Sequence, residues 1–273
     1  MTHPFWRHLG FVVMCVCMVS SARAESELEA GVAAVKRGDY ETALKNWQPL
    51  AQKGNTNAQT NMGVLHERGW GVPKDYVKAV AWYRKAADKG NATAQNNLGV
   101  FYERGWGVAQ DYKAAAEWYR KAALLGDLNG QNNLGVLHER GQGVPQDIPE
   151  ALRLYRAAAS KGLAQAQNNL GVFYERGRGV TQDYKQAAVW YRRAAEQNNP
   201  AAQNNLGVLY GTGRGLTEDI VQANFWFTLS ATGGSSNGAT NRDNTSRRLT
   251  PVQRESVDKL LAEWKLRQAG RSS

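Results

Sequence analysis

Cysteine is nearly missing from this chain. Of 273 residues only Cys15 and Cys17 are cysteines, and none follows Ala24. A disulfide framework, a thiol nucleophile, a Cys-ligated zinc site and a thiol redox pair are therefore excluded beyond that point. Histidine is scarce too, and past Ala24 only His66 and His138 remain. They occupy equivalent positions two repeats apart, on the order of 20 Å from one another if helices pack at the usual spacing. That is too far to share a metal ion, so they read as packing residues and no metal or cofactor is expected. Long apolar runs are lacking as well, which leaves no transmembrane anchor after residue 24. The longest run, residues 9–19, falls short of the ~20 residues that a spanning helix needs.

That run follows Arg7 and His8 and leads into "SSARA". A charged start, an apolar stretch of secretory length and an Ala-x-Ala ending describe a signal peptide over 1–24, with cleavage expected after Ala24. A retained membrane anchor is the competing reading. A lipid anchor would need a small residue before the cysteine, and Met14 and Val16 stand there instead. The expected location is periplasmic or secreted. Without Arg7 and Arg23 the remainder holds 32 Lys and Arg against 24 Asp and Glu, a net charge of +8. Such a balance draws a protein to acidic partners, anionic lipid or acidic polysaccharide. Export argues against nucleic acid.

What the chain has in abundance is repetition. "AQTNMGVLHERGWGV" begins at Ala58, and close copies begin at Ala94, Gly130, Ala166 and Ala202. Self-similarity at this fixed 36-residue period marks a stack of supersecondary units. In the copy over 91–126, Ala94, Leu98, Phe101 and Tyr102 fall on one arc of a helix, which Gly105 ends. After a glycine turn, Asp111 is placed to cap a second helix whose apolar arc holds Tyr112, Ala115, Trp118, Tyr119, Ala122 and Ala123. Asp75, Asp147, Asp183 and Asp219 repeat that cap. Asn198 stands once where the other copies close on glycine, and Asn tolerates the left-handed conformation. Gly63, Gly99, Gly135, Gly171 and Gly207 lie inside the first helices, where each costs about 1 kcal/mol against alanine. Close approach of the partner helix, with its small alanines, explains that expense.

These residues resemble the Sel-1-like repeat, a branch of the tetratricopeptide repeat class. The resemblance rests on Ala94, Leu98-Gly99, Tyr102, Gly105-x-Gly107-Val108, Asp111, Ala115, Trp118-Tyr119, Ala122-Ala123 and Gly126. It implies an all-α, right-handed α-solenoid of stacked helix–turn–helix repeats. Five full copies are expected at 55–90, 91–126, 127–162, 163–198 and 199–234, after a degenerate N-terminal repeat over 25–54. That first unit has a shortened turn at Arg37-Gly38-Asp39, and Pro49 is expected to bend its second helix. A C-terminal capping helix and tail fill 235–273, with Thr250 and Gln253 spaced as a capping box and Val257, Leu260, Leu261 and Trp264 as its stripe. "GGSSNGATNRDNTSRR" reads either as a poorly formed helix or as a loop.

Opposite the buried arc of the first helix lie Thr93, Asn96, Asn97, Val100, Glu103 and Arg104. In tetratricopeptide arrays the corresponding positions line a concave, peptide-holding surface. Carried over, the resemblance implies columns of Asn61, Asn97, Asn133, Asn169 and Asn205, and of Arg68, Arg104, Arg140 and Arg176. A Val column (Val64, Val100, Val136, Val172, Val208) runs beside them. Carboxamides suit a peptide backbone and guanidinium suits a carboxylate. Equally, the Asn residues can bridge neighbouring repeats, and the Arg residues can complement helix dipoles or pair with the adjacent Glu. Trp70 and Trp106, on glycine turns expected to be exposed, resemble binding anchors, unless each folds back onto its own repeat. Trp82, Trp118, Trp190 and Trp226 read as core.

The expected function is a non-catalytic scaffold that binds a protein or peptide. The alternative is a module for an anionic cell-envelope polymer such as peptidoglycan. Cysteine-rich members of the resembling family are linked to penicillin binding and β-lactamase activity. The paired cysteines of those members are absent here, and no Ser-x-x-Lys occurs in the repeats.

Overall fold

The computed structural model describes residues 23–270; the expected signal peptide lies outside them except for its last two residues. The chain divides into two compact units, Met1–Gly130 and Gln131–Ser273. All regular structure among the described residues is helical. In the first unit α1 covers residues 23–36. It is followed by α2 (Tyr40–Gln52), α3 (Thr56–Arg68), α4 (Tyr76–Ala87), α5 (Ala92–Arg104) and α6 (Tyr112–Leu124). α7 (Leu128–Arg140) begins there and continues into the second unit. That unit also holds α8 (Ile148–Ser160), α9 (Ala164–Arg176), α10 (Tyr184–Ala195), α11 (Pro200–Thr212), α12 (Ile220–Thr232), α13 (Ser236–Ser246) and α14 (Pro251–Gly270). Consecutive helices pack on one another from α2 to α6 in the first unit and from α8 to α13 in the second, where α14 packs on α12.

The helix ends follow the local chemistry. Asp75, Asp111, Asp147, Asp183 and Asp219 each accept a backbone N–H in the first turn of α4, α6, α8, α10 and α12. Asn55, Asn91 and Asn199 cap α3, α5 and α11 in the same way, and Asp127 accepts from Gly130 N at 2.6 Å. Leu163, at the start of α9, has no capping side chain. Asn198 takes φ 61°, as its position at a repeat end requires. Pro49 sits inside α2, which continues to Gln52. The ambiguous polar stretch is a helix, α13, capped by Ser235. In α14 the capping box is formed: Thr250 N donates to Gln253 Oε1 at 2.9 Å, and Gln253 N to Thr250 Oγ1 at 3.3 Å.

The glycines inside the first helices have a different partner from the alanines expected. A Cβ on Gly63 or Gly99 would lie 2.5 Å from the Tyr83 ring or 2.6 Å from the Tyr119 ring. At Gly135, Gly171 and Gly207 it would meet Tyr155, Tyr191 and Phe227 at 2.9, 2.6 and 2.6 Å. The first helix is thus notched so that an aromatic ring of the second can lie flat on its backbone. Tyr83, Tyr119, Tyr155 and Tyr191 are fully buried there. Each hydroxyl donates to a glutamate on the first helix: Tyr83 to Glu67 (2.6 Å), Tyr119 to Glu103 (2.6 Å), Tyr155 to Glu139 (2.8 Å), and Tyr191 to Glu175. In the fifth full repeat Gly211 replaces the glutamate, and Phe227 replaces the tyrosine. Both halves of the hydrogen bond go together, as the cost of a buried unpaired hydroxyl demands.

Neighbouring repeats are tied by two further devices. Buried Gln59, Gln95, Gln167 and Gln203 donate to the carbonyls of Ala51, Ala87, Ala159 and Ala195, at the C-terminal turn of the preceding helix, over 3.0–3.2 Å. The glycine turns press on the preceding repeat: a Cβ on Gly107 or Gly215 would strike the backbone of Tyr76 or Tyr184. Those two glycines also have φ 66° and 70°, so two independent constraints forbid a side chain there. In the second unit Val257 and Trp264 of α14 are buried, and Leu260 and Leu261 pack beside them. Trp264 meets Trp226 edge-on at 5.5 Å.

Two stability measurements follow. Gly99→Ala gains about 1 kcal/mol of helix propensity, but the methyl collides with Tyr119. The net expectation in denaturant unfolding is a loss of about 1–3 kcal/mol, and a gain would contradict the notch. Leu163→Asn supplies the cap that α9 lacks and is expected to add about 1 kcal/mol.

Candidate partner-binding face

In the second unit carboxamides join neighbouring first helices. Asn169 Nδ2 donates to Asn132 Oδ1 (2.9 Å), Asn205 to Asn168 (3.1 Å), and Asn241 of α13 to Asn204 (2.9 Å). Asn132 in turn donates to Asn133 Oδ1 at 3.3 Å. The first asparagine of the pair is the internal bridge at Asn132, Asn168 and Asn204, and Asn96, Asn132 and Asn168 are buried. Asn96 therefore leaves the solvent face on which the helix arc placed it. The second asparagine of each pair (Asn97, Asn133, Asn169, Asn205) is half-buried, as is Asn61. Asn169 and Asn205 each spend one N–H on the bridge and keep a second. Asn97 also faces the Tyr83 hydroxyl as a hydrogen-bond partner. Val64 and Val100 in the first unit, and Val136, Val172 and Val208 in the second, are half-buried alongside.

Arg68, Arg104, Arg140 and Arg176 are exposed. The glutamate before each accepts a tyrosine hydroxyl, and among the described residues Arg104, Arg140 and Arg176 make no ion pair. Arg68 comes within 3.7 Å of Glu67. Glu139 pairs with Arg178, a turn residue of the next repeat, and leaves Arg140 aside. Sequence reasoning missed the Tyr–Glu pair, although the joint change to Gly211 and Phe227 was a readable signal.

Trp70 and Trp106 are half-buried, stacked on the first residue of the preceding second helix. Trp70 lies on Tyr40 at 4.8 Å and Trp106 on Tyr76 at 5.1 Å, nearly parallel in both cases. Arg68 and Arg104 cover the same indoles at 5.9 and 4.9 Å from their centroids. Where the turn residue is Arg214, its guanidinium takes the place over Tyr184 at 5.8 Å. The turn position is thus a clamp on the neighbouring repeat, and in the first unit it fixes two candidate arginines. Trp82, Trp118 and Trp190 are half-buried and not core. Lys85, Lys121 and Arg193, one turn on, cover their outer faces at 4.4, 4.0 and 4.5 Å. Trp226 is buried as expected.

His66 and His138 are half-buried at the position where other repeats have tyrosine. No group of three or more His, Cys, Asp or Glu able to hold a metal ion occurs among the described residues. A Ser-x-x-Lys sequence does occur outside the repeats, at Ser256–Lys259 in α14. Both side chains are exposed, and the Ser256 hydroxyl donates to Val252 O of its own helix at 3.0 Å. No helix among the described residues is long and apolar enough to cross a membrane.

The Sel1 repeat family model matches six consecutive segments: 26–55, 56–91, 92–127, 128–163, 164–199 and 200–235. Among solved structures, a Sel1 repeat protein from Oxalobacter formigenes is 35% identical, with a TM-score of 0.69, over 76% of this chain and 83% of that one. A Sel1 repeat protein from Klebsiella pneumoniae is 24% identical, with a TM-score of 0.52, over 73% of this chain and 97% of that one. The immunity protein PA5088 from Pseudomonas aeruginosa is 21% identical over 78% and 82%, with a TM-score of 0.57, which shows a shared fold. Comparison with curated proteins finds no match.

The Tyr–Glu pairs behind this face predict its response to alkali. Burial first, and then the adjacent carboxylate, hold the Tyr83, Tyr119, Tyr155 and Tyr191 hydroxyls well above the usual phenol range. The unfolded chain releases those protons near a pH of about 10, while the folded protein keeps them. The contribution is therefore complete below that pH and is lost as pH rises past it, by up to about 1.4 kcal/mol per pH unit for each tyrosine. Denaturant melts between about pH 8 and about pH 11 are expected to show this decline, and a level profile would contradict the assignment.

Proposed function

The chain belongs to the Sel1 repeat family, and from that premise we propose that it is an exported, non-catalytic adaptor. It binds an extended peptide or protein along its first helices. Sel1 repeat proteins in general mediate protein–protein interaction. Export rests on the signal-like residues 1–24, and the location is periplasmic or secreted.

One observation carries the choice of face. The glutamates beside the arginine columns accept tyrosine hydroxyls, and Arg104, Arg140 and Arg176 are exposed and make no ion pair among the described residues. A guanidinium held over an indole, as Arg104 is over Trp106, is a preorganised receptor for a carboxylate. The second N–H of Asn169 or Asn205 supplies a donor for a peptide carbonyl. The polymer-binding alternative draws on exposed tryptophans and on the basic columns; the arginines are exposed, but the Trp70 and Trp106 rings are occupied by tyrosine and arginine.

An array of extended peptides of graded acidity, probed with the purified protein, tests this. Acidic peptides are expected to be retained. Joint substitution of Arg68 and Arg104 by alanine is expected to weaken retention by about tenfold or more, given about 1.5–3 kcal/mol per charged hydrogen bond. Arg153→Ala, on a second helix and already paired with Glu150 at 2.7 Å, is the control expected to change little. Equal retention by the double variant would overturn the assignment, and selective retention on peptidoglycan would favour the alternative.

A further inference from the structure

A nearly uniform row of repeats offers the same chemistry at every step, so a site of its own needs a place where the pattern breaks. It breaks in the fifth full repeat. The α12 position that carries Val80, Ala116, Leu152 and Ala188 in the earlier second helices carries Asn224. This carboxamide is 4% exposed. Its Nδ2 lies 3.0 Å from Arg242 O, 2.8 Å from Thr245 Oγ1 and 2.8 Å from Ser246 Oγ. Two N–H groups thus face three acceptors. Thr245 directs its own proton to the carbonyls of Asn241 and Arg242. Ser246 accepts from Asn224 and has its hydroxyl proton left to give.

Asn224 and Ser246 form the polar end of a cavity of about 520 Å³ between α12, α13 and α14. Its floor is apolar, made by Leu249 and Val257, which are 5% and 4% exposed, with Leu261 beside them. Exposed Arg247 and Arg254 stand at its rim. Neither makes an ion pair among the described residues, and Arg254 has one long contact, 3.4 Å to Ser246 O. Asp258 also lines the cavity. Two guanidiniums against one carboxylate leave a local charge of about +1, enough for one anionic group and unfavourable to a neutral occupant.

We propose that this cavity binds a small apolar monocarboxylate. The hydrocarbon lies on Leu249, Val257 and Leu261, and the carboxylate accepts from Arg254, Arg247 and the Ser246 hydroxyl. Such a group is presented by a peptide that ends in leucine or by a medium-chain fatty acid. The site is independent of the first-helix face and stands or falls apart from it.

Calorimetric titration of the full protein uses three probes: N-acetyl-Ala-Ala-Leu as the free acid, the same peptide as its C-terminal amide, and decanoate. At least one of the two acids is expected to saturate with a Kd on the order of 1 mM or tighter. The amide is expected to bind at least about tenfold more weakly than the peptide acid, and Arg254→Gln to weaken the bound acid by about tenfold. Asp258→Asn removes a like charge and is expected to tighten binding by about threefold, a gain that no folding defect mimics. Binding of the peptide acid names a chain terminus as the source, and binding of decanoate alone names a fatty acid. Saturation by neither acid, an amide that binds as tightly as a saturating peptide acid, or failure of Asp258→Asn to tighten binding of the acid that saturates would overturn the site.

Discussion

An aromatic ring lying on the bare backbone of a neighbouring helix is the contact from which the rest of this protein follows. Tyr119 occupies the space where a Cβ of Gly99 would be, and the arrangement recurs in all five full repeats. Glycine lowers helix propensity by about 1 kcal/mol, and the buried ring returns more than that as apolar area removed from water. Sinking the ring also buries its hydroxyl, which then needs an acceptor. Glu103, one turn beyond Gly99, provides it. Arg104 stays at the surface and settles over Trp106. A packing choice in the interior thus fixes the carboxylate that stands beside the exposed arginine.

Much of this architecture was legible in the residues. Period, helix ends, aspartate caps and the Thr250–Gln253 box are local signals, and local chemistry determines them. Features that depend on a second helix were harder to read. Helical periodicity places Trp82 and Trp118 on the apolar arc, yet it carries no information about how wide the neighbouring helix is. Both rings sit at the edge of contact, with a lysine over the outer face. Asn96 falls on the solvent side of its own helix for the same reason, yet it is buried. The Tyr–Glu bond spans 16 positions. No single repeat reveals it, but the paired change to Gly211 and Phe227 does. For α13, weak in apolar residues, the decisive partner is Asn224 of α12, which no periodicity announces.

Repetition and its interruption have different consequences for recognition. A ladder such as Asn132–Asn169 or Asn168–Asn205 gives each repeat the same donors in the same places, which suits the regular backbone of an extended chain. On the proposed function, discrimination would rest on residues that vary between repeats, such as the turn position that reads Trp70, Trp106, Gln142, Arg178 and Arg214. The break at Asn224 does the opposite, since it stands at a cavity that the other repeats do not line. Adaptor surface and cavity would be separable properties of one fold.

A double-mutant cycle on Glu103 and Tyr119, followed by equilibrium unfolding, tests the central contact most directly. If the phenol and carboxylate are paired as described, Glu103→Ala is destabilising beside Tyr119 and close to neutral beside Tyr119→Phe. The coupling energy is then about 1–3 kcal/mol. Additive effects, with a coupling energy of about zero, would mean that the ring packs without the bond, and the link from interior packing to exposed arginine would be lost.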